Sequence, residues 1–276
     1  MSIFHKLLNL DRRWLFAILI VVMVFVQIKP VGLAITISET TRKAFDVIDA
    51  LPEGSKVLVS FDYPAASESE VESTLRSIIA QSFDNNLKVY IIALWDQGGI
   101  RAVSLLEELL SQYPNKEYGK DYINIGFRPG GQVLLQQMSE DFPGAVLNID
   151  QYGESLSKFS MMTGIETIKD FDIIVEGSGG DPGVKDYIRV VTDAYDIPFV
   201  AAVVSVSATE FMPYYNSGQL SGMVISQRGA AEYEVISGHP GRATSAMDVQ
   251  SFIHLTMLIF ILIGNIAYFV TRRSTN

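Results

Sequence analysis

The chain has 276 residues, a hydrophobic share of 48%, a formal net charge of −10 at pH 7 and no cysteine. The lack of cysteine excludes thiol catalysis, disulfides and cysteine-ligated metals in this chain. Six basic residues lie in the two terminal segments with one acid, Asp11, so fifteen bases and thirty acids give the central region a charge of −15. An acidic domain repels phosphate backbones, which argues against a nucleic-acid partner.

The N-terminal segment is basic up to Arg13 and then apolar from Trp14 to Val26. This pattern also fits a signal peptide, for which Gly32-Leu33-Ala34 is a possible cleavage site. Because apolar residues resume from Val31 to Ile37, we predict instead a retained transmembrane helix over 14–37, with the Lys29 side chain reaching toward the interface.

The central region alternates between two patterns of hydrophobicity. Short, continuous, β-branched runs are typical of strands buried on both faces, and apolar residues at spacings of three and four are typical of helices. The predicted strands are Lys56–Phe61, Lys88–Leu94, Tyr122–Gly126, Asp172–Glu176, Phe199–Ser205 and Leu220–Ile225. The predicted helices are Glu39–Leu51, Glu68–Phe83, Gly99–Tyr113, Gly131–Glu140, a segment from Asp181 to about Tyr195, Thr209–Ser217 and Arg228–Ile236.

Six such alternations predict parallel strands joined by right-handed crossovers. We therefore expect an α/β fold, a three-layer αβα sandwich with a mostly parallel, doubly wound sheet of the Rossmann-like or flavodoxin-like kind. The stretch Asp172 to Ile225 resembles a lobe of periplasmic sugar-binding or flavodoxin-like folds. That resemblance concerns the fold pattern and implies no ligand residues.

A second apolar segment, Phe252 to Val270, is followed by Arg272 and Arg273. Its length suits a helix that crosses a hydrocarbon layer of about 30 Å, so we predict a transmembrane helix over 251–271. Inside it, Gly264 and Asn265 are candidates for contact with another buried helix, because an amide in hydrocarbon seeks a partner. Hydration near an interface is the alternative.

The basic residues flank both segments on their outer sides. By the positive-inside rule, a leader at 1–13 and a tail at 272–276 are cytoplasmic, and the acidic domain, 38–250, is extracytoplasmic. We expect the membrane to be the cytoplasmic membrane of a prokaryote, since a cysteine-free extracytoplasmic domain suits one.

Ligands of doubly wound sheets bind beyond the carboxyl ends of the strands. The distinctive stretch there is Gly177 to Gly183 (GSGGDPG), whose backbone N–H groups can hold an anion, and Arg128 precedes two further glycines. The alternatives are a tight turn and an arginine that neutralises a nearby acid. The candidate ligand-binding residues are Arg128, Gly130, Gly131, Gly177, Ser178, Gly179, Gly180 and Asp181.

Four acids at strand ends, Asp62, Asp96, Glu176 and Asp181, form a weaker hypothesis of a divalent cation site. Acids are common in such loops, so we predict no metal and no cofactor. The only histidine of the domain, His239, lies in a Gly/Pro turn, and neither a G-x-S-x-G elbow nor a zinc-binding H-E-x-x-H helix is present.

These patterns favour a structural or interaction subunit of a membrane protein assembly, whose partners are the lipid bilayer and other membrane proteins or copies of itself. An aromatic-rich stretch with Phe211, Tyr214 and Tyr215, together with Tyr233, fits a partner-facing patch or core packing equally well. The alternative function is a sensor-like or receptor-like module that binds a small polar solute. An enzyme is the third choice.

Overall fold

The computed structural model describes residues 11–273. Most of the predicted leader, 1–13, and the last three residues of the predicted tail, 272–276, lie outside this range. The chain divides into two compact units: Ile35–Ala243 forms one, and the segments on either side of it together form the other.

The larger unit contains a single sheet of six parallel strands in the order β3-β2-β1-β4-β5-β6. Each strand is buried along nearly its whole length, as expected when helices cover both faces. The parallel sheet confirms the predicted α/β class. The strands are β1 Lys56–Asp62, β2 Lys88–Ala93, β3 Tyr122–Phe127, β4 Ile173–Ser178, β5 Phe199–Val203 and β6 Gly222–Ile225.

The order of the strands is that of the Rossmann fold rather than the flavodoxin-like order. The chain winds outward from β1 to β3, returns to the centre at β4, and then winds outward in the other direction. The direction therefore reverses between β1 and β4. This reversal is the topological switch point, where doubly wound proteins bind their ligands.

Helices cover both faces of the sheet and enclose two separate hydrophobic cores. One core holds Leu58 and Ile174 with side chains of α5, α7 and α8, and the other holds Val59 and Val175 with side chains of α2, α3, α4 and α9. The helices are α1 Arg12–Ile28, α2 Glu39–Asp49, α3 Glu68–Asp84, α4 Asp96–Leu110, α5 Gly131–Met138, α6 Phe142–Ala145, α7 (Val184–Tyr187, a π-helical turn Ile188–Thr192, and Asp193–Tyr195), α8 Ala208–Asn216, α9 Ser226–Ile236 and α10 Arg242–Arg273.

The start of α7 differs from its prediction. We predicted a helical segment from Asp181, where an aspartate fits the N-cap, but Gly183 takes the N-cap position, and the Asp186 carboxylate accepts the Gly183 N–H at 3.1 Å. Asp181 is exposed instead. A carboxylate at the third helical position accepts the N–H of the N-cap residue, whereas an N-cap side chain accepts an N–H of the first turn, so either acid can stabilise the start of this helix.

In the smaller unit, α1 ends at Ile28, and residues 29–38 are not helical. The predicted continuous helix over 14–37 is therefore wrong. Pro30 provides the physical reason, because a proline disfavours the helical conformation of the residue before it and cannot donate a helical hydrogen bond. Among the described residues, α10 is the one helix long and apolar enough to cross a membrane.

The α10 helix begins nine residues before the predicted span, 251–271. Its less exposed residues recur along one side, including Thr256, Phe260 and Ala267. On α1 the less exposed residues also recur along one side, at spacings of three and four residues. They are Leu15, Leu19, Val22 and Val26. Such a stripe on each helix is typical of helix–helix packing along one face.

Both predicted contact residues of α10, Gly264 and Asn265, lie on its exposed side. A Cβ at Gly264 would meet no atom within 4 Å. A contact between these residues and a helix of another protein stays a prediction.

The smaller unit also holds a buried acid that the sequence did not single out. The Asp248 carboxylate accepts three consecutive backbone N–H groups, from Val31 at 2.8 Å, Gly32 at 2.7 Å and Leu33 at 3.0 Å. Gly32 has a φ of +71°, a conformation that glycine adopts readily and that lets neighbouring N–H groups converge on one anion. We call this contact the Asp248 clasp.

Candidate functional site

The candidate site lies at the switch point, on the face of the sheet that α7 covers. Ser60 and Asp62 of β1 stand opposite Glu176 and Ser178 of β4 in the parallel register. Alternate residues of a strand share a face, so all four side chains point to the same side. All four are buried, and together with Tyr187 of α7 they form what we call the switch-point cluster.

Asp62 is well satisfied by hydrogen bonds. Its Oδ2 accepts the Ser60 hydroxyl at 2.6 Å, and its Oδ1 accepts the Leu94 N–H at the end of β2, also at 2.6 Å. Burial nevertheless raises the pKa of Asp62 to about 7, against the lowering effect of these donors. The negative charge of Asp186 adds to the rise.

Glu176 is in a different situation. Its side chain is completely enclosed, and neither carboxylate oxygen has a hydrogen-bond partner among residues 11–273. Burial, and after it the charge of Asp62, raises the pKa of Glu176 well above its ordinary value. The Tyr187 hydroxyl is likewise enclosed without a partner of hydrogen-bonding geometry in the described chain. Burial and the two nearby acids raise the pKa of this phenol too.

Trp95, which follows β2, lies over the glycine loop at the entrance to the switch point. Its indole Nε1 donates to the Pro182 carbonyl at 2.9 Å. Pro182 in turn lies 3.4 Å from the position that a Cβ on Gly131 would take. The loops after β2, β3 and β4 therefore meet one another at this edge of the sheet.

The predicted glycine-rich ligand residues lie in β4, in the loop after it and at the start of α5. Gly177 and Ser178 belong to β4 itself, and Gly179 donates its N–H to the Asp62 carbonyl at 2.9 Å. Gly180 and Asp181 are exposed in the loop that follows. Gly130 is the N-cap residue of α5, and Gly131 is its first residue. The two glycine-containing loops thus approach each other, as a shared site requires.

The Arg128 guanidinium does not point into this region. It donates to three backbone carbonyls, those of Val146 at 3.0 Å, Phe127 at 2.8 Å and Ile149 at 2.8 Å. Burial lowers the pKa of Arg128, and the charge of Asp150 opposes this effect. Arg128 thereby fixes the loop after α6 to the end of β3, and no acid of the described chain forms an ion pair with it.

The other candidates from the sequence are mostly separated from the switch point. Asp96 is exposed and accepts the N–H of its neighbour Gln97. The Nε2 atom of His239 lies 2.6 Å from Oδ2 of Asp84, at the C-terminal end of α3. Within residues 11–273, no three His, Asp or Glu side chains lie close enough together to hold a metal ion by themselves. Phe211 and Tyr233 are core residues, and Tyr214 and Tyr215 pack partly buried against the core.

Sequence reasoning missed Ser60 and Tyr187 as members of the cluster. A usable signal was present for the strands, since Ser60 and Asp62 alternate with apolar residues in β1 and Glu176 interrupts an apolar run in β4. Polar residues at alternate positions of a buried strand point to a polar site inside the core. No comparable signal marks Tyr187, which reaches the cluster from a helix.

Exposed apolar residues mark the same edge of the domain. Five large apolar side chains have exposed fractions between 61% at Val133 and 84% at Val206. Ile100, Val133 and Val206 follow the carboxyl ends of β2, β3 and β5. Leu147 and Tyr152 lie in the loop after α6, which Arg128 holds beside β3, and the Tyr152 ring packs against Tyr118. We call this set the apolar edge; its residues are Ile100, Val133, Leu147, Tyr152 and Val206.

No protein-family model matches this chain, and no curated protein matches it. An assignment of function therefore rests on the geometry of the switch point and of the apolar edge.

Proposed function

We propose that this protein is a membrane-anchored α/β domain that acts as an interaction subunit of a membrane protein assembly, and that the apolar edge binds the partner. The observation that carries the proposal is that strongly exposed apolar side chains follow three strands, β2, β3 and β5, at their carboxyl ends. Single exposed apolar residues are ordinary, but a group of them is typical of a protein-binding surface.

The arrangement of polar groups supports this function better than capture of a small anionic solute. Arg128, the cation predicted to bind an anion, already donates to three carbonyls. Trp95 and Pro182 are bonded to each other at the entrance to the switch point. A solute would have to displace these contacts before it reached the glycine loop.

The membrane anchor of this proposal is α10. The apolar part of this helix, within Arg242–Arg272, is almost entirely exposed, as expected for a helix whose solvent is lipid. In the proposed topology, both chain termini are cytoplasmic and the acidic domain is extracytoplasmic, because the bases lie beyond the outer ends of the apolar segments. The shorter α1 is the second apolar segment of this arrangement.

The topology can be tested directly because the chain has no cysteine. Single cysteines would replace Ser2 and Ser217, and intact cells would be treated with a membrane-impermeant maleimide. We expect labelling at position 217 and no labelling at position 2 until the membrane is permeabilised. Labelling of position 2 in intact cells would contradict the proposed topology.

The interaction function is tested by the mass of the species extracted in a mild detergent. We expect an assembly larger than the monomer that dissociates when Ile100 and Val206 are both replaced by serine. Val235→Ser is the matched control, since Val235 is an exposed apolar residue outside the apolar edge, and this variant should keep the assembly. A monomeric wild-type protein, or equal dissociation by the control, would contradict the proposal.

A further inference from the structure

Glu176 presents an unusual charge problem. Its carboxyl group is completely enclosed and has no hydrogen-bond partner in the described chain. The charged groups that act on it most strongly are acids, namely Asp62, Asp186 and Asp181. An enclosed carboxylate must be protonated, paired with a base or bound to a cation, because leaving it uncompensated costs several kcal/mol.

Three oxygen atoms converge beside Glu176 at Gly183. The position that a Cβ on Gly183 would take lies 2.2 Å from the Gly180 carbonyl oxygen, 2.7 Å from Ser178 Oγ and 3.2 Å from Glu176 Oε1. A side chain at residue 183 would clash with these oxygens, so a glycine is needed for them to lie this close together. A carbonyl, a hydroxyl and a carboxylate are the ligands that hard cations prefer in proteins.

The composition of this oxygen set indicates the charge of the ion. Of the three oxygens nearest to the point beside Gly183, one belongs to a carboxylate, that of Glu176, and the other two are neutral; the Asp186 carboxylate is engaged by the Gly183 N–H. Both oxygens of Asp62 are already occupied by Ser60 and Leu94. Sites for divalent cations commonly use several carboxylates, whereas one carboxylate and neutral oxygens balance a single positive charge.

We propose that the protein binds a monovalent metal cation, with Na⁺ as the matching ion, between Glu176, Ser178 and the Gly180 carbonyl. The ion compensates the enclosed carboxylate and fixes the glycine loop over the end of β4. This site is independent of the proposed interaction function, since it lies inside the domain and uses none of the residues of the apolar edge.

The test is thermal unfolding of the full-length protein in detergent, in buffers that exchange NaCl for choline chloride at constant ionic strength. For the wild type, we expect the melting temperature to rise with Na⁺ and to reach a plateau. Glu176→Gln keeps the shape of the side chain without its charge, and its melting temperature should not respond to Na⁺. Glu140→Gln, a change of the same kind at an exposed acid, should respond like the wild type.

Ser178→Ala is a second variant that keeps the carboxylate and removes one neutral ligand. It should still reach a plateau, but at a Na⁺ concentration higher by about fivefold, the change expected for one lost neutral contact. This variant keeps the proposal testable if Glu176→Gln does not fold. A wild-type melting temperature that is the same in Na⁺ and choline would overturn the proposal and leave a protonated Glu176. An unchanged Na⁺ response in Glu176→Gln would also overturn it.

Discussion

The Asp248 clasp gives the most direct prediction about this structure. Asp248 is 1% exposed, and its carboxylate accepts the N–H groups of Val31, Gly32 and Leu33. Replacing it by asparagine keeps the shape of the side chain. The remaining amide oxygen can accept the two N–H groups of Val31 and Gly32, which now share Oδ2, but the amide nitrogen then faces the Leu33 N–H, donor against donor.

The cost follows from the number and type of these bonds. A hydrogen bond to a charged acceptor contributes about 1.5–3 kcal/mol and a neutral one about 1 kcal/mol. By the same values, Asp248→Asn loses one charged bond and weakens two, which gives a loss of at least about 2.5 kcal/mol. Because residues 31–33 are exposed, water replaces part of the lost hydrogen bonding. We therefore expect Asp248→Asn to destabilise the clasp by about 2 kcal/mol.

Amide hydrogen exchange of the peptide covering residues 31–33 measures this quantity in the protein embedded in lipid nanodiscs. A loss of about 2 kcal/mol corresponds to exchange that is faster by about 30-fold. Asp11→Asn removes the same charge from an acid that accepts the Arg13 N–H at 2.9 Å, and it should leave residues 31–33 unchanged. Exchange at 31–33 that stays close to the wild-type rate in Asp248→Asn would show that the clasp does not hold this segment.

Two further predictions concern the α/β domain. Gly98→Ala should lower the free energy of unfolding by at least about 2 kcal/mol, because its Cβ would lie 1.8 Å from the Phe61 carbonyl oxygen, and backbone must move to relieve the clash. Gly99→Ala is the matched control, with a smaller expected loss, because the nearest atom to its new Cβ would be the Phe127 Cβ at 3.0 Å. Equal losses of unfolding free energy in denaturant titrations of the two variants would contradict the reasoning. Burial raises the pKa of Asp62 from 3.8 to about 7. At any pH between these two values, Asp62 is protonated in the folded state and ionised in the unfolded state. In choline buffer, the stability that Asp62 contributes should therefore be fully present below about pH 4 and be lost as the pH rises toward 7. Asp62→Asn should change the pH dependence of the melting temperature over that window, and an unchanged slope in the variant would refute this assignment.

Local sequence was sufficient to place the strands. Four of the six predicted strands begin at the residue where the structure begins them, at Lys56, Lys88, Tyr122 and Phe199. A strand buried on both faces must be a continuous apolar run, so a few adjacent residues at each end determine its boundaries. The α/β class follows from the alternation of such runs with helices.

The end of α1 was also a local property, although our prediction gave more weight to hydropathy. Val31 to Ile37 is apolar, but Pro30 stops the helix before that segment. Hydropathy describes the preferred solvent of a segment, whereas helix termination depends on backbone geometry. The two criteria disagreed here, and the geometry decided the outcome.

The sequence by itself determined the positions of the strands, the apolar character of α10 and the presence of acids at strand ends. Only the tertiary structure decided that β4 lies beside β1, because strand order depends on which crossovers the chain makes and not on any local pattern. That one pairing places Glu176 opposite Ser60 and creates the switch-point cluster. The Asp248 clasp has the same origin, since it joins residues separated by 217 positions in the chain, and no local rule connects them.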